Sequence, residues 1–132
     1  MERGQRIIRE HVELRGMLER LEGMREAAPI GETLRLLARM LDEHFKKEEQ
    51  GGYLGFILER SPWLAVRVQV LGRQHPELRA ECVALIEVAG DRARTGELID
   101  GVARFVARLR AHEHAETEVI QDSLYDEIDG SD

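Results

Sequence analysis

Apolar residues recur at spacings of three and four through four successive stretches of the chain, and each stripe is broken once by a histidine at an inward position. That period places the apolar residues on one face of an α-helix. The first stripe reads Ile7, His11, Leu14, Leu18 and Leu21, in a helix expected from about Glu2 to Ala27 and broken by Pro29-Ile30-Gly31. The second, expected to begin near Gly31, reads Leu34, Leu37, Leu41, His44, Glu48, Gly51, Gly55 and Leu58. Ser61 followed by Pro62 has the form of an N-cap with proline at the first helical position. It opens a third stripe of Leu64, Val68, Leu71, His75, Leu78, Cys82, Leu85 and Ala89. Pro76 removes a backbone donor there and predicts a kink, or a helix restarting near Gln74. Beyond a turn at Gly90 to Gly96, the last stripe carries Leu98, Val102, Phe105, Leu109, His112, Glu116 and Val119, with fraying before Asp129. Trp63 is expected to pack at the second turn.

Four such helices joined by short turns predict an all-α protein, an up-down-up-down antiparallel four-helix bundle. Residues 1–132 form a single domain in this reading, with the last few residues disordered. Glu, Arg, Leu and Ala dominate, proline occurs three times, and strand-type alternation is nowhere sustained. A net charge of -7 without a basic stretch argues against a nucleic-acid partner. No apolar run approaches the ~20 residues of a membrane span. A lone cysteine, Cys82, excludes an intramolecular disulfide, and the charged N-terminal stretch lacks the apolar core of a signal peptide. A reducing cytoplasm is the expected location, for a monomer or a homodimer.

The polar interruptions carry the chemistry. His11, His44, His75 and His112 supply one inward histidine per helix, and His44-x-x-x-Glu48 and His112-x-x-x-Glu116 add a carboxylate one turn later. Residues four apart share a helical face, so imidazole and carboxylate can grip one centre. His11 lies about sixteen residues before the first turn and His44 about thirteen after it; His75 and His112 flank the third turn at about fifteen and sixteen. At ~1.5 Å per residue, all six fall in one layer near mid-bundle. Six such groups buried unpaired would cost several kcal/mol each. Cations relieve this by neutralising carboxylates and accepting imidazole lone pairs, and mixed His/carboxylate ligation suits iron, manganese or zinc. Iron is preferred because bridged iron pairs recur in helical bundles. Two-electron oxidation of such a pair with gain of an oxide bridge leaves the buried charge unchanged, which a low-dielectric interior can host.

These residues resemble the hemerythrin-like, or HHE cation-binding, family along nearly the whole chain. The resemblance rests on Glu10-His11, His44-Phe45-Lys46-Lys47-Glu48-Glu49, Gln74-His75 and His112-Glu113-His114-Ala115-Glu116. It implies two iron ions, oxo- or hydroxo-bridged, or an iron–manganese pair, held by His11, His44, Glu48, His75, His112 and Glu116. Oxygen carriers of the family place a second histidine where this chain has Arg79, and an aspartate at wider spacing where it has Glu116, which points away from stable oxygen carriage. The four-His, two-Glu set is similar to that of the repair-of-iron-centres proteins and related sensors.

The expected function is that of a non-haem diiron protein that binds and reacts with dioxygen, peroxide or nitric oxide. If catalytic, it is an oxidoreductase of the peroxidase, oxidase or nitric oxide reductase type; the alternative is an oxygen- or iron-sensing module without turnover. The expected partner is a small diatomic or peroxide ligand. Glu49 and Tyr53 could reach an open coordination position or belong to the solvated flank. His114, with its own pair Glu118, is expected at the surface and Cys82 in the core. Gly51 and Gly55 suit either a channel to the metals or an ordinary helix end.

Overall fold

The computed structural model describes residues 2–50 and 52–129. In chain order the helices are α1 (Glu2–Gly23), α2 (Ala27–Glu49), the short α3 (Tyr53–Arg60), α4 (Ala65–Ala89) and α5 (Thr95–Asp129). Among the described residues there is no strand. α1 lies against α2 and α5, and α4 lies against the same two helices, so the four long helices ring a shared interior. α3 rests on α2, α4 and α5 at one end.

The stripes predict which residues enter that interior. Leu14, Leu18 and Leu21 of α1, Leu34, Leu37 and Leu41 of α2, Leu78 and Cys82 of α4, and Leu98, Phe105 and Leu109 of α5 form one apolar cluster. Ile7, Tyr53, Ile57, Leu64, Val68, Leu71, Val119 and Ile120 form a second. Each buried leucine removes enough apolar surface to contribute about 1.5–3 kcal/mol. All four inward histidines fall in sequence between a residue of one cluster and a residue of the other. His11 stands between Ile7 and Leu14, His44 between Leu41 and Tyr53, His75 between Leu71 and Leu78, and His112 between Leu109 and Val119.

Several element boundaries differ from the sequence expectation. α1 ends at Gly23 instead of reaching Ala27, and α2 begins at Ala27 instead of near Gly31. Pro29 sits in the first turn of α2, where amides have no helical acceptor anyway, so it starts the helix and does not break it. α2 does not continue to Leu58. It stops at Glu49, Gly52 caps the next helix in the left-handed region at φ +79, and α3 follows. Gly52 fits the helix-end reading of this glycine stretch, Gly55 is exposed inside α3, and Gly51 lies outside the described residues.

Ser61 and Pro62 open a single 3₁₀ turn, Pro62–Leu64, that leads into α4. The Ser61 hydroxyl does not cap that turn; it meets the Ser123 hydroxyl at 3.3 Å instead. α4 runs unbroken through Pro76, without the restart expected near Gln74. Trp63 lies in the 3₁₀ turn and is 64% exposed. α5 extends to Asp129, and residues 130–132, with the disorder expected there, lie outside the described residues. Among the described residues no helix is long and apolar enough to cross a membrane.

Candidate metal centre

The six polar residues singled out by the sequence arrive in one buried layer. His11 comes from α1, His44 and Glu48 from α2, His75 from α4, and His112 and Glu116 from α5, and none is more than 4% exposed. The i, i+4 pairs face inward together: His44 Nε2 lies 3.3 Å from Glu48 Oε1, and His112 Nε2 lies 3.4 Å from Glu116 Oε2.

Glu116 is the centre of the arrangement. Its Oε1 faces His11 Nε2 at 2.9 Å and His44 Nε2 at 3.7 Å. Its Oε2 faces His75 Nε2 at 3.6 Å and His112 Nε2 at 3.4 Å. Two triads result, His11/His44/Glu116 and His75/His112/Glu116, each with donor atoms within 4.8 Å of one another. Glu48 Oε1 reaches one histidine of each triad, His44 at 3.3 Å and His75 at 3.6 Å. Nitrogen and oxygen donors about 2.1 Å from a shared transition-metal ion stand about 3 Å apart. The spacing of this layer is that of donors around common cations.

Outer contacts orient the rings. His44 Nδ1 donates to Glu10 Oε2 at 2.7 Å, and Lys47 donates to the other oxygen of Glu10 at 3.0 Å. His112 Nδ1 donates to Gln74 Oε1 at 2.6 Å. His11 Nδ1 meets the Thr117 hydroxyl at 3.1 Å, and His75 Nδ1 faces Glu49 Oε1 at 3.4 Å. Phe45 stacks on the His75 ring at 3.9 Å and fixes its plane. In neutral His44 and His112, whose Nδ1–H is committed outward, Nε2 turns a lone pair inward.

Those inward lone pairs face carboxylate oxygens, acceptor against acceptor. His44 Nε2, His75 Nε2, His112 Nε2, Glu48 Oε1 and Glu116 Oε2 are buried without a hydrogen-bond partner among the described residues. Orphans are rare in protein interiors, and several meeting at one point are a group that could hold a cation. The acid pair shows the same tension. Burial and the neighbouring Glu116 charge push the Glu48 carboxyl well above its ordinary value. Burial pushes Glu116 up as well, but the neighbouring Glu48, His11, His112 and His44 side chains outweigh it and hold Glu116 well below. The two carboxyls are thus driven apart, Glu48 toward its protonated form and Glu116 toward its charged form, and a cation would relieve both.

The hemerythrin HHE cation-binding domain matches residues 5–124, a span that includes every residue of this layer. The chain belongs to that family. Comparison with curated proteins and with solved structures finds no match.

Within this hemerythrin domain the outer partners follow one rule that the sequence reading missed. The residue before the histidine of α1 or α4, Glu10 or Gln74, accepts from the histidine of the next long helix. The residue after the glutamate of α2 or α5, Glu49 or Thr117, faces the histidine of α4 or α1. The two halves are thus a loose repeat, readable as Glu10-His11 with Glu48-Glu49 against Gln74-His75 with Glu116-Thr117. Chemistry differs at each position, which hides the repeat from a search for identical residues.

The remaining candidates separate cleanly. Glu49 approaches His75 from outside and also faces Arg79 at 3.9 Å, so it belongs to the orienting set. Tyr53 is 2% exposed, its hydroxyl has no partner among the described residues, and burial with the charges of Glu48 and Glu116 raises its pKa. His114 is exposed and pairs with Glu118 at 3.1 Å. Cys82 is fully buried with Sγ against the Leu34 carbonyl at 3.5 Å. Glu113, 8% exposed and unpartnered at Oε2, was not singled out; burial and the Glu116 charge push it up to about 7.

Proposed function

We propose that this hemerythrin domain is a non-haem diiron protein that binds and reacts with dioxygen, peroxide or nitric oxide. The observation that carries the reading is Glu116, one carboxylate whose two oxygens each face a different pair of histidines. In this reading His11 and His44 would hold one ion and His75 and His112 the other, with Glu116 and Glu48 as the carboxylate ligands of the pair. An iron pair supplies, when bound, the electrons that a small oxidant accepts.

The protein's own residues do the rest. Glu10 and Gln74 fix the tautomers of His44 and His112, and the Thr117 hydroxyl meets His11. The apolar clusters on either side keep bulk water away from the layer. The Tyr53 hydroxyl, buried and without a partner among the described residues, can donate a hydrogen bond to an incoming small molecule.

The same reading takes the four long helices to run alternately up and down. Cross-helix pairs support it. Along α1 and α5, His11 pairs with Glu116 and Glu22 with Arg110; along α2 and α4, Leu34 pairs with Cys82 and Asp42 with Arg79. Along α4 and α5, Arg67 pairs with Asp122 and Glu81 with Arg108. In each couple the residue numbers rise on one helix as they fall on the other.

Elemental analysis of protein purified without chelators, with an optical spectrum before and after peroxide, tests the proposal. About two irons per chain and a peroxide-sensitive near-ultraviolet band are expected. Metal-free protein that takes up no iron on reconstitution would overturn it. Iron uptake without turnover of any of the three oxidants would favour the second reading, a sensing module. That reading draws on the polar layer lying between two separate apolar clusters, where occupancy bears on stability.

A further inference from the structure

A cavity of about 420 Å³ opens between α1 and α5, bounded by Arg15 and Glu19 on one side and by Arg110, Glu113, His114 and Thr117 on the other. It adjoins the histidine layer through Glu113 and Thr117. Glu113 follows His112 in the chain, and the Thr117 hydroxyl that lines the cavity is the one that meets His11 Nδ1 at 3.1 Å. Glu113 is more than nine-tenths buried, and its Oε2 has no hydrogen-bond partner among the described residues. A carboxylate is costly to bury unpaired, and such a group persists where the surrounding structure uses it.

The donors are graded with depth. Glu19 and His114 are exposed, Thr117 is half-buried and Glu113 is buried. Oxygen and imidazole donors of this kind suit a ferrous ion or another divalent first-row cation. The guanidinium of Arg110 is closed on Glu22, with a contact of 3.1 Å, so its charge is countered at the rim. A second cavity, about 360 Å³ between α4 and α5, is itself lined by His112, but Glu81 there is held by Arg108 and Glu77 is exposed. It presents no buried unpartnered carboxylate.

We propose that the α1–α5 cavity is the entry port for the divalent cations of the centre, with Glu113 as the carboxylate that draws them in from solvent. The port rests on the diiron reading above, so its test must report on loading and on final occupancy separately. Metal-free protein is mixed with Co(II) in a stopped-flow instrument, and the growth of the cobalt visible bands gives the filling rate and the final amplitude.

Glu113→Gln is expected to slow filling at least tenfold while reaching the wild-type amplitude. Arg15→Glu, a change at an exposed position, is expected to speed filling severalfold by removing a repulsive charge from the rim. Glu77→Gln, on the other cavity, is expected to leave the rate unchanged. Equal rates in wild type and Glu113→Gln overturn the port, as does slowing by Glu77→Gln. A reduced final amplitude in Glu113→Gln, with far-ultraviolet circular dichroism unchanged, overturns it too, because it places Glu113 in the centre itself. A wild-type chain that takes up no cobalt overturns the port and the metal centre together.

Discussion

Glu10 is fixed at both ends, one oxygen accepting from His44 at 2.7 Å and the other from Lys47 at 3.0 Å. Its work is to hold an imidazole so that Nε2 faces the layer, and orienting partners of this kind typically govern metal affinity by 10–100-fold. Glu10→Ala is therefore expected to weaken cation binding by about that factor in a chelator competition, with little change in the stability of the metal-free protein. The acid pair gives a pH signature. Glu116 is held below its ordinary value, so its contribution to stability is present above the unfolded-state pKa and is lost as pH falls through the folded one. Glu48 is raised, so the folded chain keeps a proton that the unfolded chain has released, and stability falls as pH rises beyond the ordinary carboxylate range. Glu113, raised to about 7, and His44, raised by its bonds to Glu116 and Glu10 against the effect of burial, push the same way. Urea titrations of the metal-free protein should show a maximum near the ordinary carboxylate range and decline toward neutrality. Glu48→Gln should flatten that decline; a stability that climbs steadily to neutral pH would refute the assignment. Cation uptake expels the same proton, so affinity should rise with pH.

At the scale of the element, the join between α2 and α3 gives two glycines opposite roles. Gly52 sits at φ +79, where a side chain costs about 1–2 kcal/mol, so Gly52→Ala should destabilise by about that amount although no atom lies in its way. Gly55 is helical, exposed and faces open space, so Gly55→Ala should stabilise by about 0.5–1 kcal/mol. Chemical denaturation of the two variants checks both signs. The same join shows what the sequence made legible. Apolar spacing identified every long helix and its inward face, because burial enforces the period over many turns. It missed the break after Glu49 because the stripe of His44, Glu48, Gly51 and Gly55 stays in register through it, and glycine carries no hydrophobic signal. Pro29 it misjudged for a different reason, and at Pro76 the expected restart does not occur. Pro29 falls in a first turn that needs no amide donors, and Pro76 lies in a helix that packing against α2 and α5 carries through a missing donor.

For the whole molecule, the six inward residues were legible because burying an imidazole or carboxylate is costly enough that the pattern admits few explanations. Their orienting partners were not, because Glu10, Gln74, Glu49 and Thr117 are ordinary polar residues whose work appears only when another helix arrives beside them. This distribution has a consequence for stability. The polar layer lies between two apolar clusters that would otherwise fuse into one, and without cations it contributes unpartnered atoms instead of packing. Cations that bind the folded chain alone stabilise it by mass action, about 4 kcal/mol at a thousandfold excess over Kd. For a domain of this length that is a rise in Tm on the order of 10 °C or more. The opposite change tests the same idea. Replacing the layer with apolar residues of similar volume, for example His11→Leu, His44→Leu, Glu48→Met, His75→Leu, His112→Leu and Glu116→Met together, should abolish cation binding and raise the Tm of the metal-free protein, since buried ionisable networks are often less stabilising than the packing that could stand in their place. Single replacements should do the reverse, because each strands the charges that remain. If the combined variant melts below the metal-free wild type while keeping its helix content, hydrogen bonding within the layer is itself a net source of stability, and the layer is not held at the bundle's expense for its cations.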